Sequence, residues 1–246
     1  MALNLEKPAF YCSYAALQLR VIPVVIGHCT NPPNVGYAQS GLQSGGTMVA
    51  PQFLPINGET IALETLVPTG NSVSDNVSVQ TLDEYGYTVG NYMWVDWAAA
   101  TPCWIDADTL EPVSNISFAP GQGLWVFGSA SDQGLQSVGK VGINDVVVQL
   151  RSGGTGTGNP FPVSVTLDDI LPEGTELSDN VSIQTLDEYG YTQSNYMWVD
   201  WAAANPCWID ADTLEPVSGV TFVAGQGLWV FGSSDAQSIR FPAPEL

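Results

Sequence analysis

Hydrophobic and polar positions alternate over short runs of this chain, and no stretch has an apolar stripe at helical spacing. Val146–Leu150 and Val163–Leu167 follow a period of two or nearly so, which is typical of half-buried β-strands. Tyr92–Trp97 and Leu124–Phe127 are rich in aromatic and β-branched residues, as strands are. Turn residues such as Pro120–Gly123 separate the runs. This pattern predicts an all-β fold made of β-sandwiches or small barrels.

Shorter segments complete the predicted elements. Val77–Leu82, Cys103–Ile105 and Ile116–Phe118 are predicted to form further strands. Leu63–Leu66 and Asp168–Leu171 are predicted to form short helical turns.

One sequence occurs twice in the chain. Ser74–Ser129 and Ser178–Ser233 are identical at 47 of 56 positions, at a constant offset of 104. Upstream, Leu42–Thr47 resembles Leu150–Thr155 at an offset of 108. A period of this length is too long for a solenoid repeat or a propeller blade. The duplication therefore predicts two tandem homologous β domains, at 37–147 and 148–246.

Residues 1–36 belong to neither copy and are predicted to form an extended N-terminal arm. The arm contains an apolar strand at Leu17–Ile26, and Pro23 within it favours an edge position because proline cannot donate to a sheet ladder. The strand can pair within its own chain or be donated to a neighbour, and repeated donation would build filaments. The positions predicted to form this assembly strand are Leu17, Leu19, Val21, Val24 and Ile26.

The charge balance excludes several kinds of partner. The chain has 25 acidic and 5 basic residues, a formal net charge of −20, which opposes binding to nucleic acid and to anionic lipid surfaces. No apolar run approaches the roughly 20 residues needed to cross a bilayer, so membrane insertion is not expected. Residues 1–10 lack the pattern of a secretory signal. An extracellular, cell-surface or virion location is expected, with a signal either removed or never needed.

Aromatic residues are the first candidates for a binding site, because all eight tryptophans lie in the two copies. Three interpretations stay open: core packing, a contact between subunits, or stacking on a glycan. Trp94 and Trp97 are three residues apart, so on a regular strand they would face opposite sides. The candidate ligand or subunit contacts are Trp94, Trp97, Trp104, Trp198, Trp201 and Trp208.

An acidic segment that recurs in both copies is the second candidate. Carboxylates at alternating loop positions can coordinate calcium, but the segment lacks the remaining ligands of an EF-hand loop. A turn capped by Asp side chains is the simpler interpretation. No other cofactor is expected. The candidate calcium ligands are Asp106, Asp108, Glu111, Asp210, Asp212 and Glu215.

The four cysteines permit two disulfide bonds whose connectivity the spacing does not define. Cys103 and Cys207 are equivalent positions of the two copies, and Cys12 and Cys29 lie in the arm.

No enzyme motif occurs in the chain, which predicts a non-enzymatic protein. The segments GQGLWVFGS and NVGYAQSGLQSGGTMVAPQF resemble β-rich repeat proteins of bacterial surfaces, in which a Gly-x-Gly-aromatic-Trp-Val strand closes each repeat. The resemblance implies an extracellular structural or adhesive role. A phage fibre or decoration subunit fits the composition nearly as well.

Two functions follow from these features. The first is a structural protein that self-associates as a homo-oligomer or polymer, forming a filament, a surface layer or a virion component. The alternative is a carbohydrate-binding or adhesive module that uses the duplicated Trp, Tyr and Asp residues. The two are distinguished by the aromatic faces, which the alternative requires to be exposed in both copies.

Overall fold

The computed structural model describes residues 35–54 and 60–244, and these residues confirm the predicted all-β fold. About 50% of the chain is strand and 3% is helix, and the small antiparallel sheets form a propeller-like ring. Residues 1–34 of the predicted N-terminal arm lie outside the described residues, and its last two residues, Val35 and Gly36, begin the first strand. The arm residues concerned are Leu17, Leu19, Val21, Val24 and Ile26 of the assembly strand, together with Cys12 and Cys29.

Eleven strands, here called the first lobe, precede residue 142. They are β1 (Val35–Gly41), β2 (Gly45–Val49), β3 (Phe53–Leu54), β4 (Ile61–Ala62), β5 (Leu66–Thr69), β6 (Ser78–Leu82), β7 (Thr88–Val95), β8 (Cys103–Asp106), β9 (Ser117–Phe118), β10 (Leu124–Gly128) and β11 (Gly134–Val141).

Ten strands, here called the second lobe, follow. They are β12 (Val146–Gln149), β13 (Gly153–Gly158), β14 (Val165–Thr166), β15 (Leu171–Glu173), β16 (Ser182–Leu186), β17 (Thr192–Val199), β18 (Cys207–Asp210), β19 (Thr221–Phe222), β20 (Gly227–Gly232) and β21 (Ser238–Phe241).

Both predicted helical turns are confirmed as 3₁₀ helices, at Leu63–Thr65 and Leu167–Asp169. Val163–Leu167 was predicted as one strand, but only Val165–Thr166 is extended, because its last residue begins the second 3₁₀ helix. Among the residues described, no helix is both long and apolar enough to cross a lipid bilayer.

The two lobes repeat one sheet topology. Each has a five-stranded sheet, in the order β2-β10-β6-β7-β8 in the first lobe and β13-β20-β16-β17-β18 in the second. In each lobe the first strand also pairs with the last, since β1 pairs with β11 and β12 with β21. These pairings join residues about a hundred positions apart, so each lobe is closed by its own ends.

Each lobe also has its own hydrophobic core, centred on a buried tryptophan. In the first lobe Trp104 packs among side chains from three sheets, and its indole Nε1 donates to the carbonyl of Leu66 at 2.8 Å. In the second lobe Trp208 is placed in the same way, and it donates to Ile170 at 2.9 Å. The hydrogen bond satisfies the polar atom that burial of an indole would otherwise leave unpaired.

The lobes join through reciprocal backbone hydrogen bonds. The amide of Gly46 donates to the carbonyl of Glu188, and the equivalent amide of Gly154 donates to the carbonyl of Glu84, both at 2.8 Å. A contact that recurs with the partners exchanged is the mark of an isologous, two-fold interface. The two lobes are therefore related by a pseudo-two-fold axis that passes between them.

A small apolar cluster lies on this axis. Trp125 and Trp229, equivalent residues of the two lobes, are each 7% exposed and share the cluster with Met48. Leu82 and Leu186 pack against it from either side. Each indole ring lies directly over a glycine of its neighbouring strand, Gly46 in the first lobe and Gly154 in the second, where a Cβ would overlap the ring.

Replacing Gly46 with alanine tests this packing. The new Cβ would overlap the Trp125 ring, so Gly46→Ala should lower the free energy of unfolding by about 1–3 kcal/mol, as measured by denaturant titration. Gly41→Ala is the matched control, because nothing lies within 4 Å of a Cβ added there. Equal stability of the two variants would show that Trp125 does not hold this position.

Candidate binding site

An exposed tryptophan stands at the same place in each lobe, just beyond the end of β7 and β17. The side chains of Trp97 and Trp201 are each 53% exposed. Trp94, three residues before Trp97, packs edge-on against Trp104, with ring centroids 5.3 Å apart. Trp198 repeats this packing in the second lobe, against Trp208. One residue of each pair is thus exposed, and the other faces the core.

The exposed indole is held in one orientation by an aspartate. In the first lobe Trp97 Nε1 donates to Asp75 Oδ1 at 2.9 Å, and in the second Trp201 Nε1 donates to Asp179 Oδ1 at 3.0 Å. Both aspartates have left-handed backbones, with φ of 61° and 63°, a conformation that aspartate tolerates better than most side chains. The only polar atom of each indole is therefore satisfied, which leaves the ring faces to contact a ligand.

A serine fixes the loop around this aspartate. Ser74 Oγ donates to Asp96 Oδ1 at 3.0 Å and accepts from the Asp96 amide at 3.1 Å. Ser178 and Asp200 form the same pair in the second lobe. The ring and its flanking carboxylates are consequently positioned before any ligand arrives. We call each such group, an exposed indole with its aspartate, a tryptophan platform.

The other four candidate tryptophans pack in or against the hydrophobic cores. Trp104 and Trp208 are 2% and 1% exposed, so they belong to the core and cannot contact a ligand in this structure. Trp94 and Trp198 are half-buried against them.

The acidic segment forms a turn capped by its first carboxylate. Asp106 Oδ1 accepts the backbone amides of Asp108 and Thr109 at 3.0 and 2.9 Å. Asp210 does the same for Asp212 and Thr213. Within 35–54 and 60–244, no three His, Cys, Asp or Glu side chains group so as to hold a metal ion. Calcium binding by these segments, which include Glu111 and Glu215, stays a prediction.

Two of the four cysteines, Cys103 and Cys207, lie among the described residues. Cys103 and Cys207 are half-buried equivalent residues at the start of β8 and β18, and they are not bonded to each other. Their pairing with the arm cysteines stays untested.

A second candidate site lies on the pseudo-two-fold axis. The hairpin turns Tyr85–Tyr87 and Tyr189–Tyr191 flank a groove of about 810 Å³, which we call the central groove. Trp125 and Trp229 form its floor. The duplicated Tyr-Gly-Tyr motif was a signal in the sequence, but the meeting of its two copies depends on how the lobes pack.

Comparison with models of known protein families, with curated proteins and with solved structures finds no match for this chain.

Titration of Asp106 tests the capped turn. The backbone amides of Thr109 and Asp108 stabilise the charged form, so the pKa of Asp106 lies below its ordinary value of 3.8, and Asp210 behaves alike. A lowered folded-state pKa means that the turn is favoured above the ordinary pKa and loses this contribution as pH falls through the lowered value. NMR titration of the carboxyl carbons should therefore show midpoints below 3.8. An ordinary or raised midpoint would contradict the capping geometry.

Proposed function

We propose that the protein is a non-enzymatic carbohydrate-binding or adhesive module of an extracellular or cell surface, and that each tryptophan platform stacks on a sugar ring. The observation that carries the proposal is the pair of platforms. The same exposed indole is locked by the same aspartate in both lobes, through Trp97 with Asp75 and Trp201 with Asp179. Core packing does not account for an aromatic side chain that is half exposed and held rigid.

The chemistry of the platform suits a neutral sugar. The face of an indole carries partial negative charge and attracts the C–H groups of a sugar ring. The neighbouring carboxylates of Asp75 and Asp96 accept hydrogen bonds from hydroxyl groups. A net charge of −20 repels anionic glycans, so the favoured ligands are uncharged oligosaccharides.

Two equivalent platforms on one chain would act together on a polymeric glycan. The second binding event is then intramolecular, so avidity on a dense surface exceeds the affinity of either platform. We also propose that the lobes correspond to the two tandem homologous domains inferred from the duplication as 37–147 and 148–246. Their boundary then lies before β12 rather than at 147/148, because all of β12 pairs with β21. Self-assembly through the arm remains a prediction, because its strand lies outside the described residues.

Removing both indoles tests the proposal. Trp97→Ala combined with Trp201→Ala should weaken binding to the neutral oligosaccharides that the unmodified chain binds on a glycan array, by roughly thirtyfold. Each lost aromatic contact is expected to cost about 1 kcal/mol in affinity. Either single substitution should lose most of the avidity on an immobilised polymer but keep the affinity of the other platform for a soluble oligosaccharide.

Two substitutions of Asp75 test whether this aspartate positions the indole for binding. Asp75→Asn keeps both an oxygen acceptor for the indole and a side chain that tolerates the left-handed backbone, so it should preserve binding. Asp75→Ala loses both features and should weaken binding at the first platform. Ile143→Ala, at a residue 60% exposed, is the surface control. A chain that binds no neutral glycan, or a double tryptophan variant that binds as well as the original, would refute the proposal.

A further inference from the structure

The central groove differs from the tryptophan platforms in both position and chemistry. It lies on the pseudo-two-fold axis, and its walls are four tyrosines, two from each lobe. Their exposed fractions are large, at 73% and 72% for Tyr85 and Tyr87 and 75% and 72% for Tyr189 and Tyr191. None of the four tyrosines belongs to a lobe core or to the inter-lobe cluster.

The two tyrosine turns are rigid. In the first lobe Asp83 Oδ1 accepts the amides of Tyr85 and Tyr87 at 2.9 and 2.8 Å. Gly86 between them has a left-handed backbone, with φ of 83°. Asp187 makes the same two hydrogen bonds in the second lobe. The backbone of both turns is therefore preformed, so a ligand would have to order mainly the exposed tyrosine side chains.

The polar groups inside the groove include hydrogen-bond donors from both lobes. Gln80 Oε1 accepts the hydroxyl of Thr88 at 2.9 Å, and Gln184 Oε1 accepts that of Thr192 at 2.8 Å. Gln80 Nε2 also donates to Asn91 Oδ1 at 3.4 Å. An amide nitrogen carries two N–H groups, so at least one N–H of Gln80 remains for a ligand. The tyrosine hydroxyls add donors along both walls. A ligand that presents free carbonyl oxygens can accept hydrogen bonds from these donors.

We propose that the central groove binds a proline-rich peptide segment with a basic residue at one end. Proline has no N–H, and a polyproline II helix leaves all its carbonyls free of internal hydrogen bonds. Aromatic-lined grooves are the surfaces on which such segments dock. The rings of proline pack between the tyrosines, and the carbonyls accept hydrogen bonds from the phenol and amide donors.

The charges at the two ends of the groove break its symmetry. Glu84 faces Arg151 across the lobe interface, with a nitrogen–oxygen distance of 3.9 Å. At the two-fold related position the residue equivalent to Arg151 is Gln43. Within residues 35–54 and 60–244, the carboxylate of Glu188 makes no ion pair. A basic residue of the ligand would consequently favour the Glu188 end, and this selects one of two otherwise similar binding directions.

The experiment titrates the full chain by isothermal calorimetry with two probes. One is a proline-only peptide of about ten residues, and the other is the same peptide with two arginines at one end. Saturable binding is expected for both at concentrations up to about 1 mM. The arginine peptide should bind more tightly at low salt, with an advantage that falls as salt screens the exposed charges.

Variants of the walls and ends then locate the site. Tyr85→Ala with Tyr189→Ala should weaken both peptides by about tenfold or more, because each lost ring removes an aromatic contact. Glu188→Gln should weaken only the arginine peptide, by about two- to fivefold, as expected for an exposed ion pair. Glu84→Gln is the matched control and should have less effect, because Arg151 already faces that carboxylate. Unchanged thermal melting would show that these exposed substitutions leave the fold intact.

The outcomes separate this proposal from the glycan proposal. The double variant Trp97→Ala with Trp201→Ala should retain peptide binding whether or not the chain binds sugars. Absence of saturable binding by either peptide, or binding that survives loss of both tyrosines, would overturn the groove proposal. Binding of a neutral oligosaccharide that depends on Tyr85 and Tyr189 would reassign the groove to glycans and overturn it equally.

Discussion

The reciprocal packing of the two lobes is the constraint on which the candidate sites depend. Trp125 and Trp229 meet on the pseudo-two-fold axis, each above a glycine that leaves room for its ring. Backbone hydrogen bonds of 2.8 Å on either side of this cluster fix the register between the lobes. Because the interface is isologous, each lobe buries the same face against the other lobe of its own chain. These faces therefore do not lead to open-ended assembly. Any polymer would have to use other surfaces, such as the arm.

Rigid loops on this scaffold carry the groups proposed to bind ligands. Asp75 and Asp179 orient the exposed indoles, and Asp83 and Asp187 cap the tyrosine turns. In each case the aspartate carboxylate accepts hydrogen bonds from its own loop, either from an indole or from backbone amides. The duplicated acidic residues therefore have a structural role beside whatever they contribute to a ligand. The same logic applies to Asp106, whose carboxylate caps its own turn.

Much of the local structure was predictable because it depends on neighbours in sequence. Alternating and aromatic runs identified most of the strands, and both 3₁₀ helices fall where short helical turns were expected. Trp97 is exposed while Trp94 packs against the core, but the strand ends at Val95, so the loop after the strand places Trp97 rather than the alternation expected on a regular strand. The burial of Trp104 was not predictable, because its hydrogen bond to Leu66 spans 38 residues.

The sequence by itself determined the all-β class, the duplication and the chemistry of the turns, since each follows from patterns of a few residues or from direct comparison of the two copies. Only the tertiary structure decided which aromatic residues are core and which are surface, because burial depends on which distant strands pair. The central groove is the clearest case. Each lobe encodes half of it in a Tyr-Gly-Tyr turn, and the site exists only because Trp125 and Trp229 bring the two turns together across the axis.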